Sequence, residues 1–274
     1  MGRNPESPIG VFDSGVGGLT VLLEIYRQMP WESVIYFGDT DRVPYGNRTA
    51  GEIITFVQEI LDWFAAQQVK MVIMACNTSS ALALEVVRPL YDFPILGLIL
   101  PGARAAVQVG KRIGVLATTA TVNSNAYGDA ILESSQGKAQ VWQVACPEFV
   151  PLIEQGRIFD PYTIAVARTY LRPLLARRID TLVFGCTHYP HLAPIIREIL
   201  PPSVRLVDPA VFVTQAALQE LSLLGLSRPY PYHPGQTSFY VSGCPEQFAQ
   251  LASRWLGEIP IVAKLVPSTV RLSS

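Results

Sequence analysis

Two of the chain's four cysteines sit in nearly interchangeable settings. Cys76 ends the apolar run 69–75 and is followed by Asn77-Thr78; Cys186 ends the run 181–185 and is followed by Thr187-His188. In each case an apolar stretch of strand length delivers a thiol and then side chains that can hydrogen-bond. A thiol with an ordinary pKa near ~8.5 can both take and give a proton close to neutral pH. Two thiols on opposite sides of one bound carbon acid would let a proton leave by one face and return by the other, which inverts the centre. Little of an unassisted thiol is ionised at neutral pH, so the sulfur that acts as base needs help. Hydroxyls, N–H groups at a helix start, or a carboxylate that receives the proton can supply it. Asp13 and His188 are placed in sequence to assist Cys76 and Cys186 respectively.

Strands and helices alternate around these thiols. Residues 8–12 form a short apolar run that breaks into Asp13-Ser14-Gly15-Val16-Gly17-Gly18, after which Leu19, Leu22, Leu23 and Tyr26 recur at helical spacing. Residues 34–37 read as a second strand closed by Gly38-Asp39, and 42–47 as a loop. Ile53, Phe56, Val57, Ile60, Leu61 and Phe64 mark an amphipathic helix over 52–67. Residues 69–75 read as a strand buried on both faces and 79–90 as a helix. This alternation predicts parallel sheets joined by right-handed crossovers.

The second half repeats the first. Ile9-Gly10-Val11-Phe12 has a counterpart in Ile113-Gly114-Val115-Leu116 at an offset of 104 residues, and Cys76 has one in Cys186 at 110. Duplication predicts two pseudo-symmetric α/β lobes, each with a central, mainly parallel sheet flanked by helices. Ligands of open parallel sheets bind beyond the carboxyl ends of the strands. The active site is therefore expected in the inter-lobe cleft, with Asp13, Ser14 and Cys76 on one wall and Thr118 and Cys186 on the other.

Composition narrows the function classes. A length of 274 residues suggests two domains at ~150 residues each. Charged residues make up 16% of the chain, against ~25% in ordinary soluble chains, which leaves some apolar surface for a subunit contact. A net charge of −1 makes nucleic acid a poor partner. No apolar run nears the ~18 residues of a membrane span, and the first eight residues lack the apolar core of a signal peptide. The cysteines form no C-x-x-C pair, which argues against a disulfide framework and a zinc ribbon. A cytoplasmic protein is expected.

Four separated motifs carry a family resemblance: Asp13-Ser14-Gly15-Val16-Gly17-Gly18-Leu19-Thr20, Pro44-Tyr45-Gly46, Ala75-Cys76-Asn77-Thr78 and Gly185-Cys186-Thr187-His188-Tyr189-Pro190. In this order they resemble the PLP-independent glutamate racemases of the aspartate/glutamate racemase superfamily. The resemblance implies interconversion of L- and D-glutamate without a cofactor or metal, supplying D-glutamate for peptidoglycan. Cys76 would be the base toward the D-enantiomer and Cys186 toward the L-enantiomer. Asp13, Ser14, Tyr45, Gly46, Asn77, Thr78, Thr187 and His188 would contact substrate, Glu148 would be an acidic helper near the second thiol, and either Thr118 or Thr121 would add a hydroxyl. The resemblance also implies a homodimer, a first lobe of residues 1–97 with 209–274, a second lobe of 98–208, and hinges near Leu96-Gly97 and Asp208-Pro209. Related activities on aspartate or another amino acid, or a regulatory role such as gyrase inhibition, stay open. Thr49 and His191 depart from the family pattern.

Simpler readings compete at several positions. Cys146 and Cys244 read as inert, buried core residues. The glycines at 15, 17 and 18 suggest a phosphate loop, but no Gly-Lys-Ser/Thr follows and position 20 is Thr; they are expected to let a bound carboxylate approach backbone N–H groups. Asp13, Asn77, Thr78 and Thr187 could serve as helix caps. Cys186, His188 and His191 have a zinc-like spacing that Thr187 and Tyr189-Pro190 interrupt. A Cys186–His188 nucleophile would leave Cys76-Asn77-Thr78 unexplained. His233 and the proline-rich stretch 229–235 read as a rigid surface connection ahead of a strand at 239–241.

Overall fold

The computed structural model describes residues 3–229, 234–257 and 261–266. Its strands are β1 (Ile9–Asp13), β2 (Val34–Gly38), β3 (Met71–Met74), β4 (Ile95–Gly97), β5 (Arg112–Ala117), β6 (Gln140–Ala145), β7 (Thr181–Gly185), β8 (Arg205–Val207), β9 (Thr237–Val241) and β10 (Ala263–Leu265). They form two sheets, ordered β10-β9-β2-β1-β3-β4 and β6-β5-β7-β8. Every pairing is parallel. The run β2-β1-β3-β4 repeats as β6-β5-β7-β8, and the registers correspond as well. Ile9 faces Met71 across β1 and β3, and Ile113 faces Thr181 across β5 and β7. The sequence repeat is therefore a repeat of topology.

Helices cover both faces of each sheet, which explains why the central strands read as unbroken apolar runs. Along β1, Val11 joins one buried cluster with Leu19, Leu22 and Val213, while Phe12 joins another with Val57 and Phe64. Along β7, Leu182 and Phe184 point to one core and Val183 to the other. The helix Ala50–Ala66 opens with a capping box in which Thr49 and Glu52 exchange hydrogen bonds, and it buries Ile53, Val57, Ile60, Leu61 and Phe64. Thr49, a departure from the family pattern, thus keeps the capping function.

The single helix expected over 79–90 is instead three pieces: Asn77–Leu82, Leu84–Val87 and a 3-10 turn Arg88–Leu90. Its interruption falls at Ala83, whose φ of −117° departs from helical geometry. The Ser80 hydroxyl, which donates to Met74 O at 3.1 Å and accepts from Leu98 N at 3.2 Å, ties the first piece to the sheet. Within the stretch 229–235, residues 230–233, His233 among them, lie outside the described residues.

At the amino ends of the strands, opposite the thiols, Lys70 lies fully buried. Its Nζ meets Glu32 at 2.5 Å and donates to Pro5 O at 2.7 Å. Glu32 also accepts from Arg228 N at 2.9 Å, so this ion pair ties together four distant segments, at residues 5, 32, 70 and 228. Among the described residues, no helix is long and apolar enough to cross a membrane.

Candidate active site

Each thiol leaves its strand at the same point. Cys76 stands two residues past β3, with extended backbone, as the N-cap of the helix Asn77–Leu82. Cys186 immediately follows β7 and begins the turn in which Tyr189 N donates to Cys186 O at 3.1 Å. Both residues are buried, at 5% and 6% exposure. Both line one cavity of about 500 Å³ at the carboxyl ends of β1, β3, β5 and β7. The two thiols and the eight residues expected to contact substrate all line it: Asp13, Ser14, Tyr45, Gly46, Cys76, Asn77, Thr78, Cys186, Thr187 and His188.

The neighbours of the two sulfurs carry opposite charge. Beside Cys76 is Asp13, whose Oδ2 accepts from Gly18 N at 2.9 Å and Gly15 N at 3.2 Å. The carboxylate thus braces the turn ahead of the helix Leu19–Gln28, which itself has no side-chain cap, and it lines the cavity too. Burial raises the Asp13 pKa, opposed by His188 and by those N–H groups. Burial, and then the Asp13 charge, push the Cys76 thiol up to about 12. Cys76 is consequently a neutral thiol at pH 7 with a carboxylate nearby.

Beside Cys186 is His188, whose Nδ1 lies 3.8 Å from the sulfur and whose Nε2 lies 3.0 Å from Glu154 Oε1. Burial alone would lower the His188 pKa, but its bonds to Cys186 and Glu154 outweigh that and push it up to about 10. A cation therefore stands where negative charge on the Cys186 sulfur would be countered.

Polar side chains complete the lining. Thr78 Oγ1 lies 2.9 Å from Thr118 Oγ1, which lies 2.9 Å from Thr121 Oγ1. Thr118 lines the cavity, whereas Thr121 is fully buried behind it. Asn77 Oδ1 accepts from Tyr127 OH at 2.7 Å, and its Nδ2 is buried without a partner. Asn77 and Thr78 thus spend their side chains on these contacts, and the helix they begin has no side-chain cap. Tyr45, buried on the cavity wall, donates its hydroxyl to Asp39. Asp39 in turn accepts from Arg42 Nε and Ser242 Oγ.

The structure corrects the acidic helper. Glu148 is turned away and accepts hydrogen bonds from Tyr162 at 2.5 Å and Tyr170 at 3.0 Å. The carboxylate that reaches His188 is Glu154, at the end of the helix Phe149–Glu154. Val150 and Pro151, one turn before Glu154, also line the cavity, but nothing in the sequence separated Glu154 from Glu148. Leu251, brought to the lining by the helix Pro245–Leu256, had no signal in the sequence. Gly17 and Gly18 have a steric cause. A Cβ on Gly17 would stand 2.5 Å from His188 Cε1 and 2.6 Å from Thr187 Oγ1, and one on Gly18 would stand 2.7 Å from Asp13 Cβ.

His191 packs its ring on Trp255 with centroids 4.2 Å apart, and its Nε2 is buried without a partner. Among the described residues, no group of three His, Cys, Asp or Glu side chains could hold a metal ion. Cys146 is buried, as expected, and lines the cavity, whereas Cys244 is exposed, which corrects its reading as a core residue.

Comparison with known proteins gives a consistent picture. The family model described as Asp/Glu/hydantoin racemase matches residues 19–217. The chain is 66% identical over 257 residues to a glutamate racemase of Nostoc sp., covering 94% of this chain and 87% of that protein. Among solved structures, a glutamate racemase isoform from Bacillus anthracis is similar at a TM-score of 0.91 and 36% identity, covering 98% of this chain and 100% of that one. The glutamate racemase of Francisella tularensis in complex with D-glutamate is similar at a TM-score of 0.88 and 33% identity, covering 96% and 98%.

Proposed function

The chain belongs to the Asp/Glu/hydantoin racemase family, and from that premise we propose that it interconverts L- and D-glutamate by passing the Cα proton between Cys186 and Cys76. One observation carries this reading: the two sulfurs line a single cavity, one beside a carboxylate and the other beside an imidazolium. With L-glutamate, the Cys186 thiolate takes the Cα proton while His188 remains positive beside it. The neutral Cys76 thiol then delivers its proton to the opposite face, which leaves D-glutamate, a Cys186 thiol and a Cys76 thiolate. With D-glutamate the same steps run backwards. Asp13, raised by burial, is the nearby acceptor when Cys76 must give up a proton before it acts as base.

Asn77, Thr78 and Thr187 hold the α-carboxylate and amino group, and Ser14 and Gly46 hold the side-chain carboxylate. The unpaired Asn77 Nδ2 supports this, since a buried donor without a partner is costly until an acceptor arrives. Residues 1–97 with 209–274 and residues 98–208 act as lobes that close on the substrate and exclude water. The product supplies peptidoglycan synthesis in the cytoplasm, and the working form is a homodimer. A low charged fraction of 16% and the exposed Leu223 and Phe159 support a subunit contact.

The test is incubation with each glutamate enantiomer in deuterated water, without added cofactor, for the wild type and for Cys76→Ser and Cys186→Ser. The wild type should invert the substrate and place deuterium at Cα, and each variant should lose inversion. Unlabelled, uninverted substrate with the wild type, or wild-type rates in either variant, would overturn the proposal. Parallel incubation with aspartate decides substrate preference.

A further inference from the structure

The geometry points to Tyr127 as a positioning residue that sets the carboxamide of Asn77 with its N–H2 half free for a substrate oxygen. This inference rests on the racemase reading above.

Asn77 is 2% exposed and lines the cavity, whereas Tyr127 is fully buried and does not line it. A carboxamide presents an acceptor on one side and two donors on the other, and the two halves are nearly equal in shape. Which half meets a ligand depends on what holds the other. Here the Tyr127 hydroxyl donates to Oδ1 at 2.7 Å, and Nδ2 has no protein partner. The reverse orientation would turn a carbonyl oxygen toward the substrate carboxylate and repel it. Burial pushes the Tyr127 phenol well above its ordinary pKa, with Asp208 and Cys186 acting in the same direction, so the hydroxyl keeps its proton.

The origin of Tyr127 gives the contact a second property. Asn77 follows β3 of the first sheet, while Tyr127 lies on the helix Ala126–Ser134, which follows β5 of the second. Tyr127 also stands at the junction between the two halves. A Cβ built on Gly102 would lie 3.3 Å from its hydroxyl and 2.9 Å from Pro209 Cγ. The amide is therefore set only while the two halves are docked at this junction.

Tyr127→Phe removes a single oxygen. The KM for L- and D-glutamate should rise about tenfold alike, with kcat within twofold, because the lost interaction serves bound substrate and transition state equally. Calorimetric binding of D-glutamate supplies the coupling: in an Asn77→Ala background, adding Tyr127→Phe should change the Kd by less than twofold. Asn77→Asp keeps the oxygen that Tyr127 holds but replaces the free donor with an acceptor, so its KM should exceed that of Tyr127→Phe. An unchanged KM in a folded Tyr127→Phe protein, an undiminished effect in the Asn77→Ala background, or a wild-type KM in Asn77→Asp would overturn the proposal. If Tyr127→Phe does not fold, the Asn77→Asp result decides. A wild type that racemises glutamate beside an unaffected Tyr127→Phe refutes the positioning role alone, whereas an inactive wild type refutes the racemase reading.

Discussion

Replacing Gly17 with Ala tests whether the contact between the two halves sets the geometry of the second thiol. The added Cβ would stand 2.5 Å from His188 Cε1 and 2.6 Å from Thr187 Oγ1, where ordinary contact begins near 3.4 Å, a shortfall of about 0.9 Å. The His188 ring has little room to turn, since Nδ1 faces Cys186, Nε2 faces Glu154 and Trp255 packs at 5.3 Å. Thr187 is tethered through its carbonyl, which accepts from Thr20 Oγ1 at 3.3 Å. The clash must then be relieved by moving the ring or by parting the two halves. Overpacking of this kind costs about 1–3 kcal/mol, and a misplacement of ~1 Å at a reacting group can cost ~100-fold in rate. We expect kcat/KM to fall about 100-fold in both directions and Tm to fall by about 2–4 °C for each kcal/mol lost. A coupled assay of each enantiomer and a thermal melt read the two effects. Gly51→Ala is the control: its Cβ would meet nothing within 4 Å, and it sits in the helix Ala50–Ala66. That change should leave activity intact and shift stability favourably by up to ~1 kcal/mol. A Gly17→Ala enzyme with Tm and kcat/KM both within error of wild type would refute the reasoning.

Two further outcomes follow from buried charge. The His188 pKa is raised from 6.5 to about 10, so the folded state holds a proton the unfolded chain has lost; that stability is fully present below pH 6.5 and is lost as pH rises toward 10. His191 is lowered by burial, and then by His188, to about 4; the unfolded chain binds the extra proton between pH 6.5 and 4, so stability falls as pH drops through that window. Urea midpoints across pH 4–10 should decline on both sides of about 6.5 from these two groups. His191→Phe should flatten the acid side, and an unchanged acid slope would contradict the assignment. At the far end of the strands, Lys70→Ala leaves Glu32 buried without its cation and should cost about 3–5 kcal/mol in stability. Its kcat should stay unchanged at temperatures where it is folded, and a large loss of kcat would show that this end communicates with the cavity.

What was legible in the sequence followed from period and spacing. β1, β2, β3 and β7 are buried on both faces, so their apolar runs stood out, and the parallel register made the Cys76 and Cys186 repeat a spatial one. The cavity residues close to strand ends were legible for the same reason. Interactions set by tertiary packing were not. Glu148 and Glu154 are both acidic and six residues apart, and only the turn of a short helix decides that Glu154 reaches His188 while Glu148 meets Tyr162 and Tyr170. The break at Ala83 depends on Ser80 bonding to Met74 and Leu98, contacts that no local helix propensity encodes. Leu251 and Trp255 reach the site only because β9 and β10 extend the first sheet and carry the intervening helix across.

The unlike neighbours of the two sulfurs bear on direction. Mirror-image amino acids have equal free energy, so no placement of Asp13 or His188 can shift where a closed mixture comes to rest. On the proposed mechanism, those groups would bear only on which protonation form of the empty enzyme prevails, and hence on which hand of substrate it is ready to receive. In that mechanism, a protonated Cys76 with an imidazolium beside Cys186 corresponds to the form that would accept the L-amino acid. Net flow toward the D-form must then come from outside the molecule, from whatever reaction draws that product away.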